Sequence, residues 1–476
     1  MVKPSTADHT PRAGAASTAQ SVTPWLVVVL AVVLFAGGLF GYDQGVISGA
    51  LAGVKATFSL SLFMVQVVTS WVTLGALLGS LIAGELGDRL GRKRTVLIAG
   101  ALFTLGAAVQ WLAPSAWVLV AGRLIIGAGV GMAAVSAPLY AAELAPAHLR
   151  GRFVSAYQLA ITVGIFLAYL VNGQLSASAN WRLMLGLAAI PGLALFVIAL
   201  VAPESSRWLM IVNRRKDAAA EAHKVQPRID IEAHLDSIAA AIRKDGKSAS
   251  WGEIFKREWR RPLLVAVGLA IFQQITGINA VIYYANQIFA SAGFATEVSR
   301  STMTLWAIGG VNVLATFVAI AFIDGIGRRK LLLTGLIGMG VSLIVVGTAF
   351  HFMPPIIKGA AVGGPTLAGI VTVVALIVFI ASFAFSLGPV VWTVINEVFP
   401  ANIRGRGVAL ATAINWGSAY LVSQFFLSRV DGIGSAMTFW LLAVFCVIGW
   451  IWIYFRVPET KGLSLEKIQA MWAEKT

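Results

Sequence analysis

The chain has 476 residues, of which 58% are hydrophobic and 12% are charged, and its mean hydropathy is +0.82. Soluble domains carry about 25% charged residues, so the composition excludes an ordinary soluble protein. The single cysteine, Cys446, excludes an intramolecular disulfide and a structural zinc site built from cysteines.

The first 24 residues are rich in Ser, Thr, Ala and Pro and carry few charges. They contain no positive region that leads directly into a short apolar core with a cleavage site. We therefore predict that residues 1–24 form a disordered cytoplasmic leader and not a signal peptide.

Twelve apolar segments follow, most of them near 20 residues, a length that crosses a hydrocarbon core of about 30 Å. They predict an all-α membrane protein whose two six-helix halves at 25–202 and 262–457 are joined by a linker with short helices at 203–261 and followed by a tail at 458–476. The predicted spans are 25–49, 63–84, 96–113, 117–138, 153–173, 181–201, 262–290, 302–323, 331–352, 367–391, 407–428 and 436–456.

The net charge of +15 reflects orientation in a membrane. With both termini in the cytoplasm, 30 of the 36 Lys and Arg lie on the cytoplasmic side, 5 lie on the outer side and Arg123 lies within a span. This asymmetry follows the positive-inside rule, so nucleic acid is not needed to explain the basic charge.

Three landmarks occur twice, in the same order and at corresponding spans. GELGDRLGRKRT (84–95) and IDGIGRRKLL (323–332) follow the second and eighth spans. PLYAAELAPAHLRGR (138–152) and PVVWTVINEVFPANIRGR (389–406) end the fourth and tenth spans. PESSRWL (203–209) and PETKGLS (458–464) close the sixth and twelfth. The repetition predicts a duplicated carrier with its substrate near the bilayer midplane, between the halves.

The repeated motifs place acids at helix ends beside arginines of short loops. A carboxylate that pairs with a guanidinium at the membrane surface can act as a releasable latch. The alternative is that these charges only snorkel and set the topology. The candidate latch residues are Asp88, Arg92, Arg94, Glu143, Arg150, Arg152, Asp324, Arg328, Arg329, Glu397, Arg404 and Arg406.

Two ionisable residues, Asp43 and Arg123, lie well inside apolar spans. A charge at this depth costs at least about 2.5 kcal/mol and normally faces a partner in the bundle interior, so we predict that the two side chains pair. The pair is either a static bridge or a proton switch, because movement of an arginine away from an acid changes the proton affinity of the acid.

The spans also contain neutral amides and aromatic side chains, and this combination suits a sugar. Amides both donate and accept hydrogen bonds, as sugar hydroxyls do, although amides within spans can also merely join helices. In the seventh span, Gln274 lies about half a turn from Asn279 and Tyr283, so the helix must bend for all three to converge, and Gly277 is the predicted point. By contrast, the small-residue faces GALLG (75–79) and GAGVG (127–131) predict close helix packing.

The chain resembles the sugar porters of the major facilitator superfamily over nearly its full length. The motifs that carry the resemblance are GRKRT after span two, PESSRWL after span six, QQITGIN in span seven, GRRK after span eight and PETKG after span twelve. The resemblance implies that the latches close the cytoplasmic side in the outward-open state. It also implies that Asp43 and Arg123 form a proton switch, since facilitative glucose carriers tend to have asparagine at the position of Asp43.

The resemblance further implies a sugar site. It assigns sugar hydroxyl contacts to Gln158, Gln273, Gln274, Asn279, Asn312, Trp392 and Asn415, and pocket walls to Phe40, Tyr283, Phe383 and Trp416. Ile165 is apolar as in glucose-type carriers, whereas the bacterial xylose symporter of the family has a glutamine there. We therefore expect a hexose such as glucose or galactose, with xylose and inositol still open.

The sequence thus predicts a secondary transporter, not an enzyme, that imports a monosaccharide with protons. We expect it to act as a monomer in the bacterial inner membrane, without a cofactor or metal. The alternatives are a passive uniporter, a carrier coupled to another ion, a drug or metabolite antiporter of the same superfamily and a sugar sensor. An integral-membrane enzyme would need a catalytic cluster, and the five histidines and the intramembrane acids provide none.

Overall fold

The structure, a computed structural model, describes residues 23–146, 149–176, 178–245, 251–352, 366–399, 401–459 and 461. The side chains of residues 244, 245, 323, 324, 401 and 402 lie outside this description. The predicted leader at 1–24 and tail at 458–476 therefore lie almost entirely outside the described residues.

Six spans form the first half, and the sixth is built from two consecutive helices. The first half consists of α1 (Pro24–Phe58), α2 (Leu62–Leu90), α3 (Arg92–Trp111), α4 (Ala116–Leu144), α5 (Arg150–Leu175), α6 (Trp181–Gly186) and α7 (Ala189–Val201). α1 runs past its predicted end at residue 49. It stops after Phe58 because Ser59 adopts the left-handed conformation (φ 50°) and its N–H closes on Lys55.

The linker contains α8 (Ser206–Ile211), α9 (Arg215–Val225) and α10 (Ile231–Asp245), followed by 3₁₀ turns at Trp251–Phe255 and Arg257–Trp259. These are short helices of the kind that the sequence predicts for the linker at 203–261. They pack through a small apolar cluster of Trp208, Leu209, Ala218 and Leu235.

The second half contains more interruptions than the first. It consists of α11 (Arg260–Ile275), α12 (Ile278–Tyr283), α13 (Ala285–Ser291), α14 (Glu297–Met303), a π-helical turn (Thr304–Gly310), α15 (Val311–Ile326), α16 (Arg328–Phe352), α17 (Leu367–Phe385), α18 (Leu387–Val398) and α19 (Ala401–Arg456). α19 holds two spans, separated where Gly434 leaves helical geometry (φ 83°, ψ 159°).

The two halves share one packing pattern. In the first half α1 packs on α5, α2 on α4, α3 on α4 and α3 on α7, and the second half repeats these contacts as α11 on α19, α15 on α17, α16 on α17 and α16 on α19. The prediction of an all-α membrane fold with two similar six-span halves is confirmed. We call the end of the bundle that carries α8–α10 the linker end and the opposite end the far end.

Glycines allow α2 and α4 to approach each other closely. A Cβ atom built on Gly79 would lie 2.2 Å from the carbonyl oxygen of Ala128, and one built on Gly131 would lie 2.0 Å from that of Ala76. The predicted packing role of the two small-residue faces is confirmed.

Candidate functional site

The packing of α1 against α5 aims the polar residues of α1 at the rest of the bundle. A Cβ built on Gly41 would lie 1.8 Å from the carbonyl oxygen of Ile161, and one built on Gly164 would lie 2.2 Å from that of Gly38. Backbone thus meets backbone along this face. Asp43 and Gln44 lie on the remaining faces of α1, where they contact α4 and α12.

Asp43 and Arg123 form the predicted pair in the interior of the first half. Arg123 Nη1 lies 2.6 Å from Asp43 Oδ1, and the two side chains are 0% and 4% exposed. Arg123 also donates from Nε to the carbonyl oxygen of Val68 (3.1 Å) and from Nη2 to that of Thr69 (3.4 Å). α2 therefore supplies Arg123 with acceptors that do not depend on Asp43.

The seventh span breaks where the sequence predicted. α11 ends at Ile275 and α12 begins at Ile278, and Gly277 between them has a φ of 95°, a backbone conformation that favours glycine. The break turns the chain between Gln274 and Asn279, so that Asn279 Nδ2 donates to Gln274 Oε1 at 2.9 Å.

Four of the predicted amides form one hydrogen-bonded cluster, which we call the amide cluster: Gln273, Gln274, Asn279 and Asn415. Gln274 Nε2 donates to Asn415 Oδ1 at 3.1 Å, and Asn415 Nδ2 donates to Gln273 Oε1 at 2.7 Å. Gln273 Nε2 donates in turn to the carbonyl oxygen of Leu387, at the break between α17 and α18. The cluster is buried and joins three spans of the second half.

Gln44 of α1 extends the amide cluster into the first half. Its Nε2 donates to Asn279 Oδ1 at 3.2 Å, and its side chain is buried. Sequence reasoning missed this residue, although its position directly after Asp43 and its amide side chain were both visible. The hydroxyl of Tyr283 faces the same Gln44 side chain.

Aromatic side chains lie at the boundary between the halves. The rings of Phe40 and Trp416 meet edge to face with centroids 5.3 Å apart. Trp416 Nε1 is buried and has no hydrogen-bond partner among the described residues, so its N–H is available to a polar ligand. Phe383 packs its ring near Gly388, and Trp392 is partly buried on α18.

The remaining predicted sugar residues lie outside the amide cluster. Gln158 is half-buried on α5, and Asn312 is buried on α15, directly after the π-helical turn. Ile165 is buried where α5 meets Gly45 of α1. π-Helical turns occur frequently at functional sites, and this one lies where α5 contacts the second half.

At the linker end of the first half, Arg92 pairs with two of the predicted acids. Arg92 Nε lies 3.2 Å from Glu143 Oε1, and Arg92 Nη1 lies 3.1 Å from Asp88 Oδ1. Glu143 also accepts a hydrogen bond from Ser205.

Three other predicted latch residues, Arg94, Arg150 and Arg152, are exposed. The guanidinium of Arg150 lies near His234 of α10, and partial burial together with the charge of Arg150 lowers the pKa of His234.

The described residues of the second half repeat part of this arrangement. Arg328 Nη2 lies 3.5 Å from Glu397 Oε1, which matches the Arg92–Glu143 pair. Arg329 donates to the carbonyl oxygen of Tyr454, Arg404 donates to that of Phe399, and Arg406 lies over the ring of Trp251. The side chain of Asp324 lies outside the described residues.

Two glutamates that sequence reasoning left without a role cap helices at the linker end. Glu204 of the PESSRWL motif accepts from the backbone N–H groups of Arg92 and Lys93, at the first turn of α3. Glu459 of the PETKG motif does the same for α16. Burial raises the pKa of Glu204, and the hydrogen bonds from the backbone N–H groups and the charge of Arg92 oppose that rise without cancelling it. The duplication of both motifs was the signal for this role.

Hydrogen bonds join the two halves at the far end. Gln66 on α2 and Ser428 on α19 bond in both directions, with Gln66 Nε2 to Ser428 Oγ at 2.7 Å and the Ser428 N–H to Gln66 Oε1 at 3.1 Å. Ser70 donates to Gln424 at 2.5 Å. In addition, the N–H of Asn286 on α13 donates to Ser48 on α1. The halves are therefore closed on each other at this end.

The described residues contain no group of three or more His, Cys, Asp or Glu that could hold a metal ion. They include 11 helical segments long and apolar enough to cross a membrane, and the last of these holds the two spans of α19.

Comparison with known proteins gives matches along almost the whole chain. A family described as "Sugar (and other) transporter" matches residues 29–472. The D-xylose transporter of Levilactobacillus brevis is 38% identical over 443 residues, which are 92% of this chain and 94% of that protein. The galactose-proton symporter of Escherichia coli (strain K12) is 35% identical over 440 residues, 91% of each chain.

A solved structure is similar at the level of the whole fold. The structure of the proton:xylose symporter XylE bound to 6-bromo-6-deoxy-D-glucose superposes with a TM-score of 0.79 at 30% identity. The match covers 94% of this chain and 99% of that one.

Proposed function

The chain belongs to the sugar transporter family of the major facilitator superfamily, and from that premise we propose that it imports a monosaccharide together with protons by alternating access. The observation that carries the proposal is the buried Asp43–Arg123 pair. Asp43 is followed directly by Gln44, whose side chain bonds to the amide cluster. One helix, α1, therefore carries both a group that can take up a proton and an amide that can form the same hydrogen bonds as a sugar hydroxyl.

The proton step follows from the anchoring of Arg123. When Asp43 is protonated it loses its charge, and the attraction to Arg123 falls while Arg123 keeps its two carbonyl acceptors on α2. α1 then becomes free to move relative to α4. The return step needs Asp43 to release its proton, because an unpaired buried guanidinium favours a carboxylate beside it.

The sugar step uses the amide cluster. Its members are bonded to one another, and sugar hydroxyls offer the same donors and acceptors, so a sugar can exchange these bonds for its own. Gln158, Asn312 and Trp392 complete the proposed contacts, and the rings of Phe40, Tyr283, Phe383 and Trp416 form the walls. Because Ile165 presents no amide there, we propose a hexose such as glucose or galactose as the substrate.

Alternating access follows from the two ends of the bundle. The far end is held by neutral hydrogen bonds such as Gln66–Ser428, whereas the linker end carries ionic pairs such as Arg92–Glu143 within a half. We propose that the halves at 25–202 and 262–457 rock against each other and that the termini and linker face the cytoplasm. In this orientation the described conformation is the one with the outer side closed.

Uptake into proteoliposomes tests the proposal. Purified protein is offered labelled D-glucose, D-galactose, D-xylose or myo-inositol, with and without an imposed pH gradient. We expect saturable uptake of a hexose and accumulation above equilibrium only when the outside is acidic. Equal final levels with and without the gradient would indicate a uniporter, and the absence of saturable uptake of all four would refute sugar transport.

A further inference from the structure

α1 connects the proposed proton site to the proposed sugar site mechanically. One face of the helix is fixed on α5, where the glycine contacts leave no room for a side chain. Asp43 points from a second face to Arg123 on α4, and Gln44 points from a third face to Asn279 on α12. Because a helix moves as a rigid unit over so short a distance, a displacement of Asp43 also displaces Gln44.

Gln44 is an amide of the first half that bonds to the amide cluster. The hydrogen bonds run from Gln44 to Asn279, from Asn279 to Gln274 and from Gln274 to Asn415. Each amide donates with its nitrogen and accepts with its oxygen, so loss of the first bond leaves Asn279 Oδ1 without the donor that orients it. The orientation of the remaining amides then becomes free to change.

We infer that Gln44 is the positioning residue that couples protonation to sugar binding. Its bond to Asn279 holds the amide cluster in the arrangement set by the position of α1, and that position depends on whether Asp43 is paired with Arg123. This inference rests on the proposed proton-coupled sugar transport. Coupling between two ligands is reciprocal, so sugar bound at the cluster acts back on the proton site through the same bond.

The surroundings of Asp43 are consistent with a single dominant switch. Among the described residues, the charged or titratable groups that face Asp43 are Arg123 on α4, Tyr283 on α12 and Tyr42 on α1 itself. Tyr42 donates to the carbonyl oxygen of Met184 and is thereby fixed. Tyr283 faces both Asp43 and Gln44.

The test compares Gln44→Met with Gln110→Met. Both replace a buried glutamine in a span by an unbranched apolar side chain of similar length. Gln110 on α3 makes no hydrogen bond through its amide with any described residue, so it controls for the loss of a buried amide. Gln44→Thr provides a second, shorter variant in case Gln44→Met does not give a monodisperse protein on size-exclusion chromatography.

Three quantities are measured in proteoliposomes with the labelled sugar that gives the highest uptake in the four-sugar panel. They are counterflow exchange, accumulation driven by a pH gradient, and the pH dependence of the half-saturation concentration. We expect Gln44→Met to keep counterflow within about threefold but to lose accumulation. The effect of pH on half-saturation should shrink by about fivefold, the ratio that corresponds to one hydrogen bond. Gln110→Met should match the wild type in all three.

The outcomes separate the inference from the proposed function. If the wild type accumulates sugar and Gln44→Met accumulates it equally, coupling does not pass through Gln44, and only this inference fails. A raised half-saturation with unchanged pH dependence would make Gln44 a plain sugar ligand and would also overturn it. If the wild type exchanges sugar but never accumulates it, proton coupling itself fails, and the inference fails with it.

Discussion

The guanidinium of Arg123 is bonded to the carboxylate of Asp43 and to two backbone carbonyls of α2, whereas the carboxylate has Arg123 as its hydrogen-bond partner among the described side chains. The pair is therefore asymmetric. We expect a change in the charge of Asp43 to release α1 and to leave Arg123 in place, and this asymmetry makes the buried ion pair a candidate switch.

Replacement of Asp43 by Asn should abolish accumulation and preserve exchange. The amide keeps the size and one acceptor oxygen of the carboxylate but cannot take up or release a proton. We expect the accumulation ratio under an inward pH gradient to fall to about 1, with counterflow reduced by less than about tenfold, since one hydrogen bond of about 1 kcal/mol is weakened and not lost.

The control for this substitution is Asp217→Asn, which changes an acid of the linker helix α9 whose side chain is 52% exposed. It should leave the proton dependence of accumulation intact. Undiminished accumulation by Asp43→Asn would show that the coupling proton binds elsewhere.

The general features of the site were accessible from the sequence because each has a strong physical signature. Two charges in otherwise apolar spans predicted the Asp43–Arg123 pair, since an isolated charge is costly in a bilayer. The glycine between Gln274 and Asn279 predicted the helix break. Both predictions are confirmed. The roles of these residues in transport remain proposals.

Other features depend on three-dimensional proximity that no local pattern encodes. Gln44 was overlooked because its partner Asn279 lies 235 positions away, in the other half. The Gln66–Ser428 contact is separated by 362 positions, and ordinary polar residues form it. The capping role of Glu204 also required the positions of two helix ends, although its repeated motif had marked the residue.

The hydrogen bonds at the far end should control which side of the protein is open. Gln66→Leu removes the bonds to Ser428 while keeping a buried side chain of similar size. Because these bonds join the halves only when the far end is closed, their loss should favour the conformation open at that end. Each hydrogen bond contributes about 1 kcal/mol, so two bonds correspond to a population shift of roughly thirtyfold.

Spin labels can measure this shift. The exposed residues Phe63 on α2 and Ile433 on α19 are replaced by cysteine after Cys446, which is buried, is changed to serine. Double electron–electron resonance should then show a longer distance between the labels in Gln66→Leu. Glu85→Gln, on the exposed linker end of α2, serves as the control, and an unchanged distance distribution in Gln66→Leu would contradict the proposed role of the far-end bonds.

The cap that Glu204 provides for α3 should contribute to stability in a pH-dependent way. Glu204→Ala removes the acceptor for backbone N–H groups and should lower stability by about 1–2 kcal/mol, as loss of a helix cap does. Burial raises the pKa of Glu204. The folded protein therefore holds the proton more tightly than the unfolded chain, and ionisation opposes folding.

The pH window for this effect opens near the ordinary carboxyl pKa of 4.5 and extends upward to the raised value. As pH rises through it, the wild type should lose stability relative to Glu204→Gln, which keeps an acceptor oxygen but cannot ionise. Melting temperatures of the two purified proteins across pH 4 to 8 measure the difference. If the melting temperature of the wild type stays constant or rises relative to that of Glu204→Gln as pH rises, the assignment is contradicted.

The break at Gly277 should be needed for sugar binding more than for folding. Alanine at this position must adopt a φ of 95°, and its Cβ would lie 2.7 Å from Leu442 Cδ1. Gly293 provides a matched control, because its φ is 93° but a Cβ there would meet nothing within 4 Å. Both substitutions cost about 1–2 kcal/mol of backbone strain, so the comparison isolates the effect of the contact with Leu442 and of the geometry of the break.

We expect Gly277→Ala to displace Asn279 from Gln274 and to weaken sugar binding by about tenfold or more, as the loss of one to two hydrogen bonds would. Gly293→Ala should bind sugar as the wild type does. Equal affinities in a binding assay with labelled sugar, at similar melting temperatures, would mean that the amide cluster does not depend on the bend.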